Sequence, residues 1–218
     1  MRRDPETPVS DEDHRITVDE KLVRSQKKIY LMMNKPRGLV TTASDEHGRE
    51  TIYTLLNQAS AEEATQSAAL PWVAPVGRLD KASEGLLLLT NDSEWGARIT
   101  DPATRLDKTY HVQVDAFADE GFLKSLLAGM RTKEGEMLSA KQARLLRSGN
   151  KNCWVEIVLD EGKNRHIRRM VEAKGIEVLR LIRIAIGPVQ LVDLAKGGHR
   201  ALTAHEKSAL DRAMRGNS

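Results

Sequence analysis

Four consecutive leucines, Leu86 to Leu89, lie between Gly85 and the turn residues Asn91-Asp92. An apolar run this short, closed by turn residues, reads as a buried strand. Ile29-Tyr30-Leu31-Met32-Met33 reads the same way and is stopped by Asn34-Lys35-Pro36-Arg37-Gly38. Tyr110, Val112 and Val114 alternate with His111 and Gln113, the period-two pattern of a half-buried strand. Met137 to Leu146, Trp154 to Leu159 and Val178 to Ile186 read as further strands. The helices are fewer. A short one is expected over Thr51 to Leu56, and Asn91-Asp92-Ser93 supplies caps for Glu94 to Ile99. Asp119 can cap a helix carrying Phe122, Leu123, Leu126 and Leu127 on one face and ending at Gly129. Arg165 to Lys174 is expected to be helical, stopped by Gly175. Thr203 with Glu206 forms a capping box for a last helix to Met214. Strands outnumber helices and connections are tight, so the expectation is an α+β fold on a mixed, mainly antiparallel sheet.

At 218 residues the chain can bury one domain core with small appendages. Residues 1–24 are highly charged and carry Pro5 and Pro8, which suits a flexible arm, and Ile16 to Val23 could be a lone strand or the remnant of something larger. The expected division is an arm over 1–27 and one folded domain over 28–218. A single cysteine, Cys153, excludes an internal disulfide and reads as a buried structural thiol. The six histidines show no paired helical spacing, so no metal is expected, and Gly197-Gly198 reads as a turn, so no nucleotide cofactor is indicated either. No apolar run approaches the roughly 20 residues needed to cross a bilayer. Met1-Arg2-Arg3 leads into acidic and proline residues, unlike a signal peptide. A cytoplasmic monomer is the expectation.

The net charge of +3 does not by itself demand a polyanionic partner. Local clustering makes that case. Between Gly162 and Arg183 there are seven Lys or Arg against two Glu. Arg165, Arg168 and Arg169 fall at helical spacings, leaving Ile167, Met170 and Val171 for the core. Arginines at a helix start oppose the macrodipole unless an anion, a phosphate or a carboxylate such as Asp80, compensates them. Lys35, Arg37, Arg78, Lys81, Arg105 and Lys108 lie at other loop ends and could converge on the same groove. Asp80 itself sits in a loop between Gly77 and Gly85, packed with ionisable groups. A loop aspartate is most often a turn residue, a basic helix a solvated one, and a tyrosine such as Tyr110 a core residue. The functional readings are a reactive carboxylate, phosphate anchors, and a ring stacked on an unstacked base.

In this order the segments resemble the RsuA-type pseudouridine synthases, over roughly Ile29 to Val192. The motifs are Asn34-Lys35-Pro36-x-Gly38, Gly77-Arg78-Leu79-Asp80 with Ser83-Glu84-Gly85-Leu86, and Lys108-Thr109-Tyr110. Glu161-Gly162-x-Asn164-Arg165-His166-Ile167-Arg168-Arg169-Met170 and Leu181-x-Arg183-x-x-Ile186-Gly187 complete the set. The resemblance implies a central catalytic cleft flanked by helices and loops, no cofactor, and isomerisation of uridine to pseudouridine in structured RNA, ribosomal RNA by preference. It implies that Asp80 attacks the nucleotide at C1′ or C6, that Tyr110 stacks on the flipped base, that Arg168 pairs with Asp80, and that Leu181 packs on the base. Arg78, Lys35, Lys108, Lys163, Arg165 and Arg183 would bind substrate. Many relatives carry an N-terminal S4-type RNA-binding domain, for which the stretch before Lys28 is too short.

The competing readings are a catalytically silent RNA-binding or ribosome-assembly protein, a synthase acting on transfer RNA, and a nucleosidase or glycosidase. A retaining glycosidase needs two carboxyl groups. Glu84 is the nearest second candidate and is expected to be structural, an ion pair or a helix cap.

Overall fold

The computed structural model describes residues 16–18, 21–23, 26–42, 48–62 and 71–216. The arm expected over 1–27 and the alanine- and glutamate-rich residues up to Leu70 that follow Ala59 therefore fall mostly outside the described residues. Strands β1 (Ile16–Val18) and β2 (Lys21–Val23) pair antiparallel with one another, apart from the main sheet.

The main sheet is built from β3 (Tyr30–Lys35), β4 (Ala74–Val76), β5 (Glu84–Thr90) and β6 (Lys108–Val114). A short ribbon of β7 (Met130–Arg131) and β8 (Met137–Leu138) follows. The main sheet resumes with β9 (Gln142–Ser148), β10 (Cys153–Leu159), β11 (Val178–Ile186), β12 (Val189–Gln190) and β13 (His199–Ala201). Its order is β13-β3-β5-β11-β6-β10-β9, with β4 on β5 and β12 on β11. These neighbours run antiparallel except at the centre, where β5 and β11 are parallel over Glu84↔Ile182 and Gly85↔Arg183. The mixed, mainly antiparallel sheet is as expected. Among the described residues five α-helices flank it: α1 (Tyr53–Glu62), α2 (Ser93–Thr100), α3 (Glu120–Ala128), α4 (His166–Glu172) and α5 (Ala204–Arg215).

The leucine run explains the β3–β5 half. Side chains alternate along a strand, so Leu86 and Leu88 join Met32, Trp95, Ile99, Leu210 and Met214 under α2 and α5. Leu87 and Leu89 join Leu31, Met33, Ile52 and Leu56 on the α1 side. A strand covered on both faces tolerates an unbroken apolar run. In the other half, Val112, Val114, Val155 and Ile157 pack against Phe122 and Leu126 of α3 and Ile167, Met170 and Val171 of α4. Tyr110 packs against the cores of both halves, and so marks their junction.

The helix caps are as read: Asp92 accepts from Trp95 N, Asp119 from Phe122 N, and Thr203 with Glu206 closes a full capping box. Two elements differ. The strand expected over Met137 to Leu146 is broken between β8 and β9, because Ala140 N turns away to bond Leu126 O at the end of α3. The helix expected from Arg165 starts at His166, because Arg165 adopts a left-handed backbone with φ 48°. Arg165 therefore leaves the face it was expected to share with Arg168 and Arg169. No helix among the described residues is long and apolar enough to cross a membrane.

Gly85 lets the two halves meet. Its φ is +105°, and a Cβ there would lie 2.2 Å from Arg183 O. Since both the conformation and the opposing backbone resist a side chain, Gly85→Ala is expected to cost about 3 kcal/mol in urea unfolding. A cost below about 1 kcal/mol would show that the junction yields.

Candidate active site

The loop from Leu79 to Ser83 is held by its carbonyls. Thr41 Oγ1 donates to Leu79 O (2.9 Å). Lys35 Nζ donates to Asp80 O (3.3 Å) and Ser83 O (3.0 Å). Gly38 N donates to Lys81 O, and Arg168 Nη2 to Ala82 O (3.1 Å). Each carbonyl of the loop thus accepts from a donor on another segment, which fixes the backbone and leaves the Asp80 carboxylate, about a third exposed, turned to the cleft. This is the economy expected of a buried loop, whose polar groups must be paired.

The cleft encloses about 290 Å³ and lies between this loop, the β6–β11 floor and the segment Glu161–Ile167. That is the small end of ligand clefts, suited to one nucleotide rather than a duplex. Tyr110, Leu181, Lys108 and Arg183 line the floor, and Arg78, Lys163 and Arg165 the rim. Eight of the ten expected site residues, Asp80 among them, thus line the cleft, and Lys35 and Arg168 reach it through the loop backbone.

Their roles differ from the simple reading in three places. Lys35 is fully buried, its ammonium bonded to Pro36 O, Asp80 O and Ser83 O, so it cannot serve as a phosphate contact and instead holds the loop. Arg168 was expected to pair with Asp80. It is buried and spans Val178 O (3.1 Å) and Ala82 O, and the ion pair to Asp80 comes from Arg165 Nη1 at 3.9 Å. Burial and Arg165 push the Arg168 pKa down, and Asp80 pulls it back. Lys163 is taken up by Glu161 (3.2 Å) and Glu136 (3.4 Å), so it reaches a phosphate only in competition with them. Thr41 was missed. A lone threonine 38 residues before the loop carries no pattern to find it by.

Glu84 is structural. Burial pushes its pKa up, but hydrogen bonds from Arg180 and Lys196 outweigh this and hold the carboxyl below its usual value. It does not line the cleft, so it is not the second carboxyl group a retaining glycosidase needs, and Glu161, which does line it, is paired with Lys163 at 3.2 Å. Cys153 is fully buried, as read.

Burial pushes the Lys35 ammonium down from 10.5 to about 8, against the pull of Asp80 and Glu84. The unfolded chain keeps the ordinary value, so between these two values it binds more protons than the folded chain. Stability contributed by this group therefore rises with pH across that window, and the full cost of the buried charge is carried below it. In protein labelled at lysine Cε, the Lys35 resonance is expected to titrate near 8, and a midpoint among the surface lysines would contradict it.

The left-handed backbone of Arg165 is unusual for a residue with a side chain. It carries the guanidinium back over Asp80. Arg165→Gly is expected to remove the backbone strain and the ion pair together, leaving thermal stability within about 1 kcal/mol while slowing turnover.

Residues 29–173 match the family described as RNA pseudouridylate synthase. The chain is 34% identical over 197 residues to the ribosomal large subunit pseudouridine synthase B of Bacillus subtilis (strain 168), covering 89% of this chain and 76% of that one. It is 36% identical over 200 residues to an uncharacterized RNA pseudouridine synthase of Aquifex aeolicus (strain VF5), covering 91% and 76% respectively. A crystal structure of a pseudouridylate synthase aligns with a TM-score of 0.69 at 31% identity, covering 85% of this chain and 75% of that one. The fold and the cleft are those of an isomerase that works on RNA. The chain belongs to the RNA pseudouridine synthase family, in the RsuA-type branch that its motifs resemble.

Proposed function

We propose that the domain over residues 28–218 isomerises a uridine of ribosomal RNA to pseudouridine, with Asp80 as the nucleophile. The observation that carries this is the Asp80 carboxylate, presented to a one-nucleotide cleft by a loop whose carbonyls are all tied down, while the other lining carboxylate, Glu161, is paired with Lys163. Such preorganisation is what a nucleophile requires, and a silent RNA-binding surface has no use for it. Tyr110 stacks on the flipped base and Leu181 closes on it. Arg165 pairs with Asp80, and Arg168 positions it through the backbone. Arg78, and Lys163 when it exchanges a carboxylate for phosphate, hold the RNA backbone at the rim. Ribosomal RNA is favoured because relatives from Bacillus subtilis and Haemophilus influenzae are both ribosomal large subunit synthases.

The test is incubation with unmodified ribosomal RNA transcripts of both subunits and with transfer RNA transcripts, mapping carbodiimide-dependent reverse-transcription stops. Stops at one ribosomal uridine support the proposal. Stops on transfer RNA alone reassign the substrate, and none on any RNA leaves the silent binder as the better reading.

A further inference from the structure

The cleft floor carries more positive charge than holding RNA requires. Lys108 and Tyr110 lie two residues apart on β6, so they share a face, and Arg183 of β11 stands directly across from Tyr110. All three line the cleft. A ring flanked by two cations follows from strand period and register alone.

Neither cation is matched by a carboxylate. Arg183 is buried, gives its Nε–H to Leu86 O (2.7 Å), and has no hydrogen-bond partner for Nη2. Lys108 is half-buried with no ion pair among the described residues. Of the carboxylates that act on it, Asp107 is bonded to Lys141, leaving Asp160. Burial and the charge of Arg183 together push the Lys108 pKa down, and Arg183 acts on buried Lys35 in the same sense. A floor with shielded cations and an unbonded guanidinium nitrogen is costly when empty. An anionic ligand would relieve that cost.

We propose that Lys108 and Arg183 form an anion-stabilising pair for the uracil ring, neutralising the charge it acquires during isomerisation rather than binding an RNA phosphate. This rests on the reaction proposed above. If a carboxylate oxygen of Asp80 bonds to C1′, the C1′–N1 bond breaks and its electron pair stays on uracil, shared between N1 and O2. If the oxygen adds to C6, the π pair moves onto C5 and O4. Either way the base becomes an anion beside Tyr110. The pair is consumed when C5 bonds to C1′, in the C6 route as the C1′–N1 bond breaks and its pair, passing to N1, expels the Asp80 carboxylate from C6, in the C1′ route as the carboxylate leaves C1′. The C5 proton then departs to solvent or a base and N1 takes up a proton, giving neutral pseudouridine. A ring stacked on Tyr110 turns its carbonyl edges toward the neighbouring side chains on that face, which are Lys108 and Arg183. Phosphates of a flipped nucleotide stay at the mouth, where exposed Arg78 and Arg165 already stand. Donors fixed in a water-poor site act most strongly on charge that develops only during reaction.

The experiment compares wild type with Lys108→Met and Arg183→Lys on the RNA that wild type modifies. It measures single-turnover rates at saturating RNA, dissociation constants over a salt series, and thermal melts. The expected result is a fall of about 100-fold in the saturating rate, with affinity within about threefold and the salt slope unchanged. An unchanged saturating rate would overturn the inference, whether or not the salt slope drops by about one as for a lost phosphate contact. Should Arg183→Lys fail to fold, Lys108→Met alone decides. Failure of the wild type to form pseudouridine on any RNA would instead withdraw the underlying reaction, and the inference with it.

Discussion

Asp80→Asn is expected to lower pseudouridine formation by at least about 10⁴-fold, the scale on which loss of a nucleophile leaves only binding and positioning. The substitution keeps the side-chain shape and touches none of the bonds that hold the loop, since those run through the carbonyls of Leu79 to Ser83. The ion pair it weakens, to Arg165 at 3.9 Å, is partly exposed at both ends and contributes little. Stability should therefore stay within about 1 kcal/mol. RNA affinity should hold or rise slightly, because one negative charge leaves a basic cleft. Single-turnover assays and filter binding on the same protein separate these effects. Turnover within tenfold of wild type would remove Asp80 from the chemistry. Joint loss of affinity and turnover would mean that the side chain serves RNA binding.

Lys35→Met is expected to have the largest effect on stability, a loss of about 3–5 kcal/mol, the range for removing one partner of a buried charged group. Three carbonyls, of Pro36, Asp80 and Ser83, lose their donor together in a site closed to water. Each unsatisfied group costs roughly 1–3 kcal/mol, and sparing the buried ammonium its lost hydration offsets part of the total. For a chain of this size the loss corresponds to a fall in Tm of about 10 °C. Turnover should drop as well, since Asp80 O and Ser83 O lie in the loop that carries the proposed nucleophile. Urea unfolding decides the matter, and a loss under about 1 kcal/mol would show that the loop stands without the ammonium.

Much of the fold was legible in local pattern. Leu86 to Leu89, the alternation from Tyr110 to Val114, and the caps at Asp92, Asp119 and Thr203 are short-range signals, and each element appeared where its signal lay. The motifs also marked which loops would gather: eight of the ten expected residues line the cleft, and Lys35 and Arg168 brace its loop. The misreadings share a cause. A buried lysine and an exposed one look the same in a sequence, as do an arginine on a helix and one at its left-handed cap. Lys35, Arg168 and Arg165 were thus recognisable as residue types in motifs while their partners were not.

By itself, then, the sequence determined the elements, the family and the candidate nucleophile, because periodicity, capping and motif spacing act over a few residues. Only the tertiary structure decided that Lys35 and Arg168 hold the loop, that Arg165 meets Asp80, and that Lys108 and Arg183 flank Tyr110. Those relations depend on strand register across Gly85 and on donors up to 86 residues away in the chain. Burial sets their energies, and burial is a property of the packed sheet rather than of any one segment.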